Sequence, residues 1–300
     1  MSAPIHITSL DDPRIADYRN VRDADLRGGG GLSPLGPAGT PNKLFMAESE
    51  PVIRRLIESR RYAIKSLFVS DEKWESLRAG RPHSPDSMPC FAASGTPVYV
   101  GTLDLLRAVA GYRHHGGALA AGIRPSPAEL DPARLLAPLE NEQRFCTLLV
   151  EGVTHVDNIG GIFRNAAVFG AAGVILDSTC ADPLFRKAIR VSMGHVFNVP
   201  WGIAPSLSET IVVLRERCGA SIIAAESCER AVTIDRFPFP PRCAIVVGAE
   251  RQGISSATLS LADYIIEIPM ARADTPLNVA VASAVVLHEW RRSVTSIQAR

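Results

Sequence analysis

The chain has 300 residues, of which 46% are hydrophobic and 21% are charged, and this ordinary globular composition excludes a disordered tail or a coiled coil. Its 32 basic and 31 acidic residues leave a net charge of +1, so any contact with nucleic acid must come from local patches rather than from bulk charge. No apolar run approaches the roughly 20 residues of a membrane span, and the first residues lack a signal-peptide pattern. A cytoplasmic protein is predicted.

Glycine and proline divide the chain into a smaller and a larger domain. Residues 25–42, with four consecutive glycines, predict a mobile loop, and residues 79–89 predict a second one. The Pro-rich stretch 122–142 predicts a linker that contains a short helix. The predicted domains are therefore residues 1–121 and 143–300.

Within the first domain, the apolar pattern predicts alternating strands and helices. The predicted strands are 44–48, 64–69 and 97–100, and the predicted helices are 50–59, 71–77 and 103–109. This alternation is typical of a small α/β domain.

The second domain alternates more regularly, which predicts a parallel sheet covered by helices on both faces. Its predicted strands are 145–150, 173–176, 197–200, 221–225, 243–247 and 263–268, and its predicted helices are 159–169, 183–191, 207–218 and 277–292. Neither a G-x-G-x-x-G nor a G-x-x-x-x-G-K-[ST] pattern is present, which disfavours a standard dehydrogenase or a P-loop enzyme.

The six cysteines contain no C-x-x-C pair, and the seven histidines form no ligand pattern with them. We therefore predict no metal site and reduced, mostly buried cysteines.

Polar residues follow a predicted strand in the segment from Glu151 to Asn165. Asn158 is predicted at the N-cap of the next helix, and Arg164 lies on that helix among apolar residues. Taken alone, the segment favours an ordinary asparagine cap followed by a surface arginine whose stem lies along apolar residues.

Two later segments also place polar residues after predicted strands. Gly248-Ala-Glu250 ends an apolar strand at the carboxyl edge of the sheet, where α/β proteins bind ligands. The stretch from Ile268 to Asn278 leaves a strand through a proline and enters the last helix.

Together these segments resemble the three motifs of the SpoU (TrmH) RNA 2′-O-ribose methyltransferases of the SPOUT superfamily. The motifs read N-I-G-x-x-x-R, then G-A-E-x-x-G-I, then I-P-M followed by L-N-V, and an R-x-S-x-G segment lies at 190–194. The resemblance covers roughly residues 145–292. More weakly, residues 43–121 resemble the L30e-like substrate-binding domain that often precedes it.

The resemblance implies a C-terminal α/β domain with a parallel sheet and a deep trefoil knot, an exception to the usual absence of knots. It implies that S-adenosylmethionine is the cofactor and lies in the loops of the second and third motifs, bound by Gly248, Ile268 and Leu277. It further implies a homodimer whose active site borrows residues across the interface.

The implied reaction is attack of a ribose 2′-hydroxyl on the cofactor's methyl group, with Asn158, Arg164, Glu250 and Asn278 as the catalytic residues. Because a guanidinium stays protonated in proteins, Arg164 is expected to bind the adjacent phosphate and to stabilise developing negative charge. Asn158 is expected to orient Arg164 or the ribose. Glu250 is expected to hold the motif loops or to pair with Arg164, and Asn278 to cap the last helix.

The sequence departs from the family pattern at several positions. His155-Val156 replaces the usual Asn/Asp-Pro, and Gly161 stands where alanine is more common. Pro276 replaces a serine before Leu-Asn-Val, and the hydroxyl of Thr275 is a candidate substitute. Pro276 motivates the alternative hypothesis, a non-catalytic RNA-binding or ribosome-assembly factor on the same scaffold.

RNA contact requires basic groups, and an L30e-like domain favours rRNA over tRNA as the substrate. For some of these groups a solvated helix face is an equally acceptable interpretation. The candidate RNA-binding residues are Arg54, Arg55, Arg60, Arg61, Arg113, Arg186 and Arg190.

Overall fold

A computed structural model of the chain describes residues 3–19, 44–79, 95–110, 116–271 and 277–298. These residues form two compact units. The first comprises the described residues up to 124 together with 184–198, and the second comprises 125–183 together with 199–298. The predicted loop 25–42, most of the loop 79–89, Arg113, Thr275 and Pro276 lie outside the described residues. The predicted domain boundaries stay predictions.

The elements alternate along the chain much as the apolar pattern predicts. Up to residue 124 they are β1 (Ile5–His6), β2 (Leu44–Glu48), α1 (Glu50–Ser59), β3 (Ile64–Ser70), α2 (Asp71–Ala79), β4 (Val98–Gly101), α3 (Leu103–Ala110) and β5 (Ala118–Ile123). From there they are α4 (Pro132–Leu136), β6 (Phe145–Glu151), α5 (Val156–Phe169), β7 (Gly173–Asp177), α6 (Arg186–Val191), β8 (Trp201–Ala204), α7 (Leu207–Cys218), β9 (Ser221–Ala225), β10 (Val232–Thr233), β11 (Arg242–Gly248), α8 (Ser256–Ser260), β12 (Tyr264–Glu267) and α9 (Val279–Gln298).

The first unit is built on a mixed five-stranded sheet in the order β1-β4-β3-β5-β2. Strand β5 runs antiparallel to both of its neighbours, while β1, β4 and β3 are parallel. Buried aliphatic and aromatic side chains, among them Phe68 and Leu106, form its core. The L30e-like relationship of this unit stays a prediction.

The second unit is built on an all-parallel seven-stranded sheet in the order β10-β12-β9-β11-β6-β7-β8. Its central strands β6 and β11 are buried along almost their whole length, as expected for a parallel sheet with both faces covered. The carboxyl ends of β6, β7, β9 and β11 therefore meet at one edge, where the functional motifs begin. The predicted parallel α/β fold is confirmed, while the trefoil knot stays a prediction.

Four strand assignments differ from the sequence prediction: the predicted strand 197–200 and the unpredicted strands β1, β5 and β10. The predicted strand 197–200 is wrong, because Phe197 lies in a 3-10 turn and the strand begins at Trp201. The ring of Phe197 packs against Phe45 and Tyr62 at centroid distances of 5.4 and 5.5 Å, so it belongs to the core of the first unit. Strand β5 was not predicted, since four of its six residues are alanine or glycine, which are depleted in strands.

Among the described residues, no helix is both long and apolar enough to cross a membrane.

Candidate active site

A tight turn follows β11 at the carboxyl edge of the parallel sheet. The backbone N–H of Gly253 donates to the carbonyl of Ala249 at 2.8 Å, which folds the chain back on Gly248. A Cβ atom on Gly248 would lie 2.3 Å from the carbonyl oxygen of Gly253, closer than non-bonded atoms can approach. Glycine at 248 is therefore required for the turn to close against the strand.

Three polar side chains from the three motifs meet at this edge. Asn158 Nδ2 donates to Glu250 Oε1 at 2.8 Å, and Asn278 Nδ2 donates to Glu250 Oε1 at 2.6 Å and to Asn158 Oδ1 at 2.9 Å. Asn158 is 8% exposed, so its amide depends on these partners. The carboxylate of Glu250 thus joins the first motif to the third.

The position of Asn158 corrects one prediction. Helix α5 begins at Val156 with His155 as its N-cap, so the predicted N-cap at Asn158 is wrong. Asn158 lies inside the first turn, and its side chain is engaged with Glu250 and Asn278 rather than with the helix backbone.

Asn278, in contrast, is the residue before α9, and its Oδ1 accepts from the backbone N–H groups of Ala280 and Val281 at 3.0 and 3.3 Å. The predicted cap on the last helix is confirmed.

A pocket of about 340 Å³ opens beside this cluster, within the size range of small-molecule sites. Gly248, Ile268 and Leu277, the three predicted cofactor residues, all line it, as does Glu250. Its lining includes the apolar side chains of Ile268, Met270 and Leu277 and also the carboxylates of Glu226 and Glu267. This combination fits a small molecule that has both a flat apolar group and a polar end with hydrogen-bond donors.

Arg164 lies on the same helix as Asn158 but on another face. It is exposed, and within the described part of the chain no hydrogen bond or ion pair engages its guanidinium. The expected pairing of Glu250 with Arg164 is not formed, and the hydrogen bonds of Glu250 and Asn158 go instead to each other and to Asn278. An exposed guanidinium that none of the described residues engages is available to bind a phosphate.

Gly161, a departure from the family pattern, has a packing role. Helices α5 and α9 pack against each other, and a Cβ atom on Gly161 would lie 2.7 Å from the Cβ of Ala280. Asn165 Nδ2 donates across the same contact to the carbonyl of Ala280 and the hydroxyl of Ser283 at 2.6 and 3.0 Å. The glycine allows the helix carrying Asn158 and Arg164 to approach the helix that Asn278 caps.

The two basic patches predicted 130 residues apart in sequence belong to one compact unit. Arg55 Nη1 donates to the carbonyl of Met193 at 2.7 Å, which links α1 to the segment after α6. Arg60, Arg61 and Arg190 are exposed. Arg54 and Arg186 are instead paired with Glu50 at 2.7 Å and with Glu48 at 3.6 Å.

Several carboxylates at strand ends shape the edge, and sequence reasoning missed them. Asp177 Oδ2 accepts from the backbone of Gly152 at 2.8 Å, and Glu151 Oε1 accepts from Thr258 at 3.1 Å. Glu226 Oε2 accepts from the backbone N–H of Ile254 at 2.8 Å. Each follows or ends a strand of the parallel sheet, and this position is the signal that could have identified them.

Comparison with known proteins agrees with this geometry. Residues 146–288 match the SpoU rRNA Methylase family. The chain is 33% identical over 288 residues to an uncharacterized tRNA/rRNA methyltransferase of Mycobacterium tuberculosis, covering 94% of this chain and 90% of that protein. It is 31% identical over 195 residues to a 23S rRNA (guanosine-2′-O-)-methyltransferase of Acinetobacter baylyi, covering 65% and 78%.

The fold is shared with a solved structure, an AdoMet-bound rRNA methyltransferase from Sinorhizobium meliloti. The TM-score is 0.72 at 21% sequence identity, covering 96% of this chain and 97% of that chain. Fold and pocket thus define an α/β domain with a small-molecule site at the carboxyl ends of its parallel strands. The chain belongs to the SpoU/TrmH family of RNA 2′-O-methyltransferases, in the SPOUT superfamily.

Proposed function

We propose that the protein transfers a methyl group from S-adenosylmethionine to a ribose 2′-hydroxyl in structured RNA, with rRNA as the preferred substrate. One observation carries this proposal: Glu250 both lines the pocket and joins Asn158 to Asn278. The three family motifs therefore converge on one ligand-sized site. The rRNA preference rests on relatives that are named as 23S rRNA enzymes.

The pocket residues fit the cofactor. Adenine is flat and apolar on its faces, which suits the wall formed by Ile268, Met270 and Leu277. The turn at Gly248 brings backbone amides and carbonyls to the pocket without an intervening side chain, and such groups can bind the edge of the base. S-adenosylmethionine, when bound, supplies an electrophilic methyl group on its sulfonium.

Arg164 has the central role on the RNA side. Its guanidinium donates to the phosphate next to the target ribose. This contact holds the 2′-hydroxyl in line with the methyl group that it attacks. The bound cofactor would give up its methyl group by cleavage of the carbon–sulfur bond and leave as S-adenosylhomocysteine, while the hydroxyl proton passes to solvent water. Arg164 stabilises the negative charge that develops on the 2′-oxygen. Arg164 does not itself accept the proton, because a guanidinium remains protonated.

Asn158, Glu250 and Asn278 act together to hold the segments that carry Arg164 and line the pocket. Their hydrogen bonds fix the start of α5, the turn after β11 and the start of α9 relative to one another. Arg164, carried by α5, is thereby held relative to the pocket that the other two segments line. A site held by such mutual hydrogen bonds is organised before the substrate binds.

The basic residues of the first unit are the proposed RNA surface. Arg60, Arg61 and Arg190 are exposed and suited to phosphate contacts, which provide affinity without reading sequence. Arg55 is held at its position by the carbonyl of Met193. Arg113, which lies outside the described residues, belongs to the same proposed set.

We propose a cytoplasmic homodimer as the active form. Val168 on α5 and Val281 on α9 are 65% and 48% exposed, and the two helices pack against each other. Exposed apolar side chains on neighbouring helices support a face that a second copy covers. Sedimentation measurements test this, and a monomer at micromolar concentration would contradict it.

Transfer of a labelled methyl group tests the proposed activity. The protein is incubated with labelled S-adenosylmethionine and unmodified 23S rRNA transcript, with unmodified tRNA as the comparison. We expect label in the rRNA and little in the tRNA. Label in neither RNA would contradict the proposal and favour the non-catalytic alternative.

A further inference from the structure

One wall of the cofactor pocket is acidic. Glu226 follows β9 directly and Glu267 ends β12, and the two strands are adjacent, with Ala225 paired to Ile266. The two glutamates therefore lie next to each other at the carboxyl edge, and both line the pocket.

Both carboxylates are held in place but keep capacity for a ligand. Glu226 Oε2 accepts from the backbone N–H of Ile254 at 2.8 Å, and Glu267 Oε2 accepts from the hydroxyl of Ser227 at 2.9 Å. An ionised carboxylate offers about four lone-pair positions. Each glutamate can therefore accept further hydrogen bonds from a bound molecule.

The charge of the pocket restricts what can bind against this wall. Among the described residues, its lining contains three glutamates, Glu226, Glu250 and Glu267, against one arginine, Arg251. Glu250 is already engaged by Asn158 and Asn278. A phosphate group of a nucleotide would be repelled here, whereas a group that carries positive charge and N–H donors would be stabilised.

We propose that Glu226 and Glu267 bind the α-ammonium group at the amino-acid end of the cofactor. This inference rests on the proposed function and adds two binding residues outside the three family motifs. An ammonium has three N–H donors and no acceptor, so it can be shared between two adjacent carboxylates. The apolar side chains of the lining, Ile268, Met270 and Leu277, then receive the adenine.

Calorimetric binding of three related ligands tests this proposal. S-adenosylmethionine and S-adenosylhomocysteine carry the ammonium, while 5′-methylthioadenosine has the same nucleoside and sulfur but no amino acid. The variants are Glu226→Gln and Glu267→Gln, which remove the charge but keep an acceptor oxygen. Glu229→Gln is the matched control, since Glu229 is exposed and is not part of the pocket lining.

We expect each pocket variant to weaken S-adenosylhomocysteine and S-adenosylmethionine binding about tenfold and to leave 5′-methylthioadenosine binding unchanged. Equal weakening of all three ligands would overturn the proposal, because it would place the carboxylates on the ribose hydroxyls. Unchanged binding of all three would also overturn it. Failure of the proposed function has a separate signature, in which the unmodified protein binds none of the three ligands.

Discussion

The side-chain amide of Asn278 donates to Asn158 Oδ1 at 2.9 Å, although 120 residues separate them in the chain. Both amides also donate to one oxygen of Glu250. The start of α5, the turn after β11 and the start of α9 are thereby joined through the side chains of Asn158, Glu250 and Asn278.

Removal of the shared acceptor tests this cluster. Glu250→Ala leaves the Nδ2 donor of the buried Asn158 without its acceptor, and an unpaired buried donor costs about 1–3 kcal/mol. We expect a lower melting temperature and strongly reduced methyl transfer. Glu229→Ala is the control for an exposed glutamate. Equal melting temperatures for the two variants would show that the cluster does not stabilise the site.

The turn after β11 provides a second prediction. S-adenosylhomocysteine should raise the melting temperature of the protein, because a ligand that binds only the folded state stabilises it. Gly248→Ala should abolish this increase, since its Cβ would displace the carbonyl of Gly253. Calorimetry at millimolar ligand provides the check. A Gly248→Ala protein that binds S-adenosylhomocysteine normally would remove the turn from the pocket.

Sequence reasoning identified the elements well and the contacts between them poorly. Strands such as β6 and β11 are near-continuous apolar runs, and local pattern alone suffices to locate them. The N-cap at Asn158 was assigned wrongly because its partners, Glu250 and Asn278, are 92 and 120 residues away. Glu226 follows a predicted strand, but the sequence does not give the sheet order that brings this strand end to the pocket.

The effect of replacing Gly161 also depends on a contact that the sequence does not show. In an exposed helix, replacing glycine with alanine gains up to about 1 kcal/mol. Here the new Cβ would lie 2.7 Å from that of Ala280, and overpacking costs typically about 1–3 kcal/mol. We therefore expect Gly161→Ala to lower the melting temperature.

The double variant Gly161→Ala/Ala280→Gly isolates this contact, because it moves the methyl group from one helix to the other. We expect it to be more stable than Gly161→Ala alone, despite the added glycine in α9. If the double variant were less stable than Gly161→Ala, the contact with Ala280 would not be the reason that residue 161 is glycine.

The proposed RNA surface of the first unit predicts how RNA binding depends on salt concentration. Replacing both Arg60 and Arg61 by alanine should weaken RNA binding and flatten its dependence on salt concentration, because each lost phosphate contact reduces the slope by roughly 0.7–0.9. Arg54→Ala should change the slope less, since Arg54 is paired with Glu50. Arg236→Ala, at an exposed residue of the second unit, is the control. An unchanged slope in the double variant would identify these arginines as an ordinary solvated face.

Arg164 is the residue on which the proposed reaction depends most. Loss of a group that stabilises developing charge typically costs two or more orders of magnitude in rate, roughly 3 kcal/mol. We expect this loss in single-turnover methylation by Arg164→Ala, with S-adenosylhomocysteine affinity unchanged because other residues line the pocket. Arg164→Lys should recover little, since an ammonium lacks the planar fork of donors. A fully active Arg164→Ala would exclude Arg164 from the site.

The most direct test of the central claim is the position of the transferred methyl group. After reaction of the protein with unmodified 23S rRNA transcript and labelled S-adenosylmethionine, alkaline hydrolysis leaves a phosphodiester intact wherever the neighbouring 2′-oxygen is methylated, because that oxygen can no longer attack the phosphate. We expect the label in alkali-resistant dinucleotides at a single site. Label released in mononucleotides would place the methyl group on a base and contradict the account.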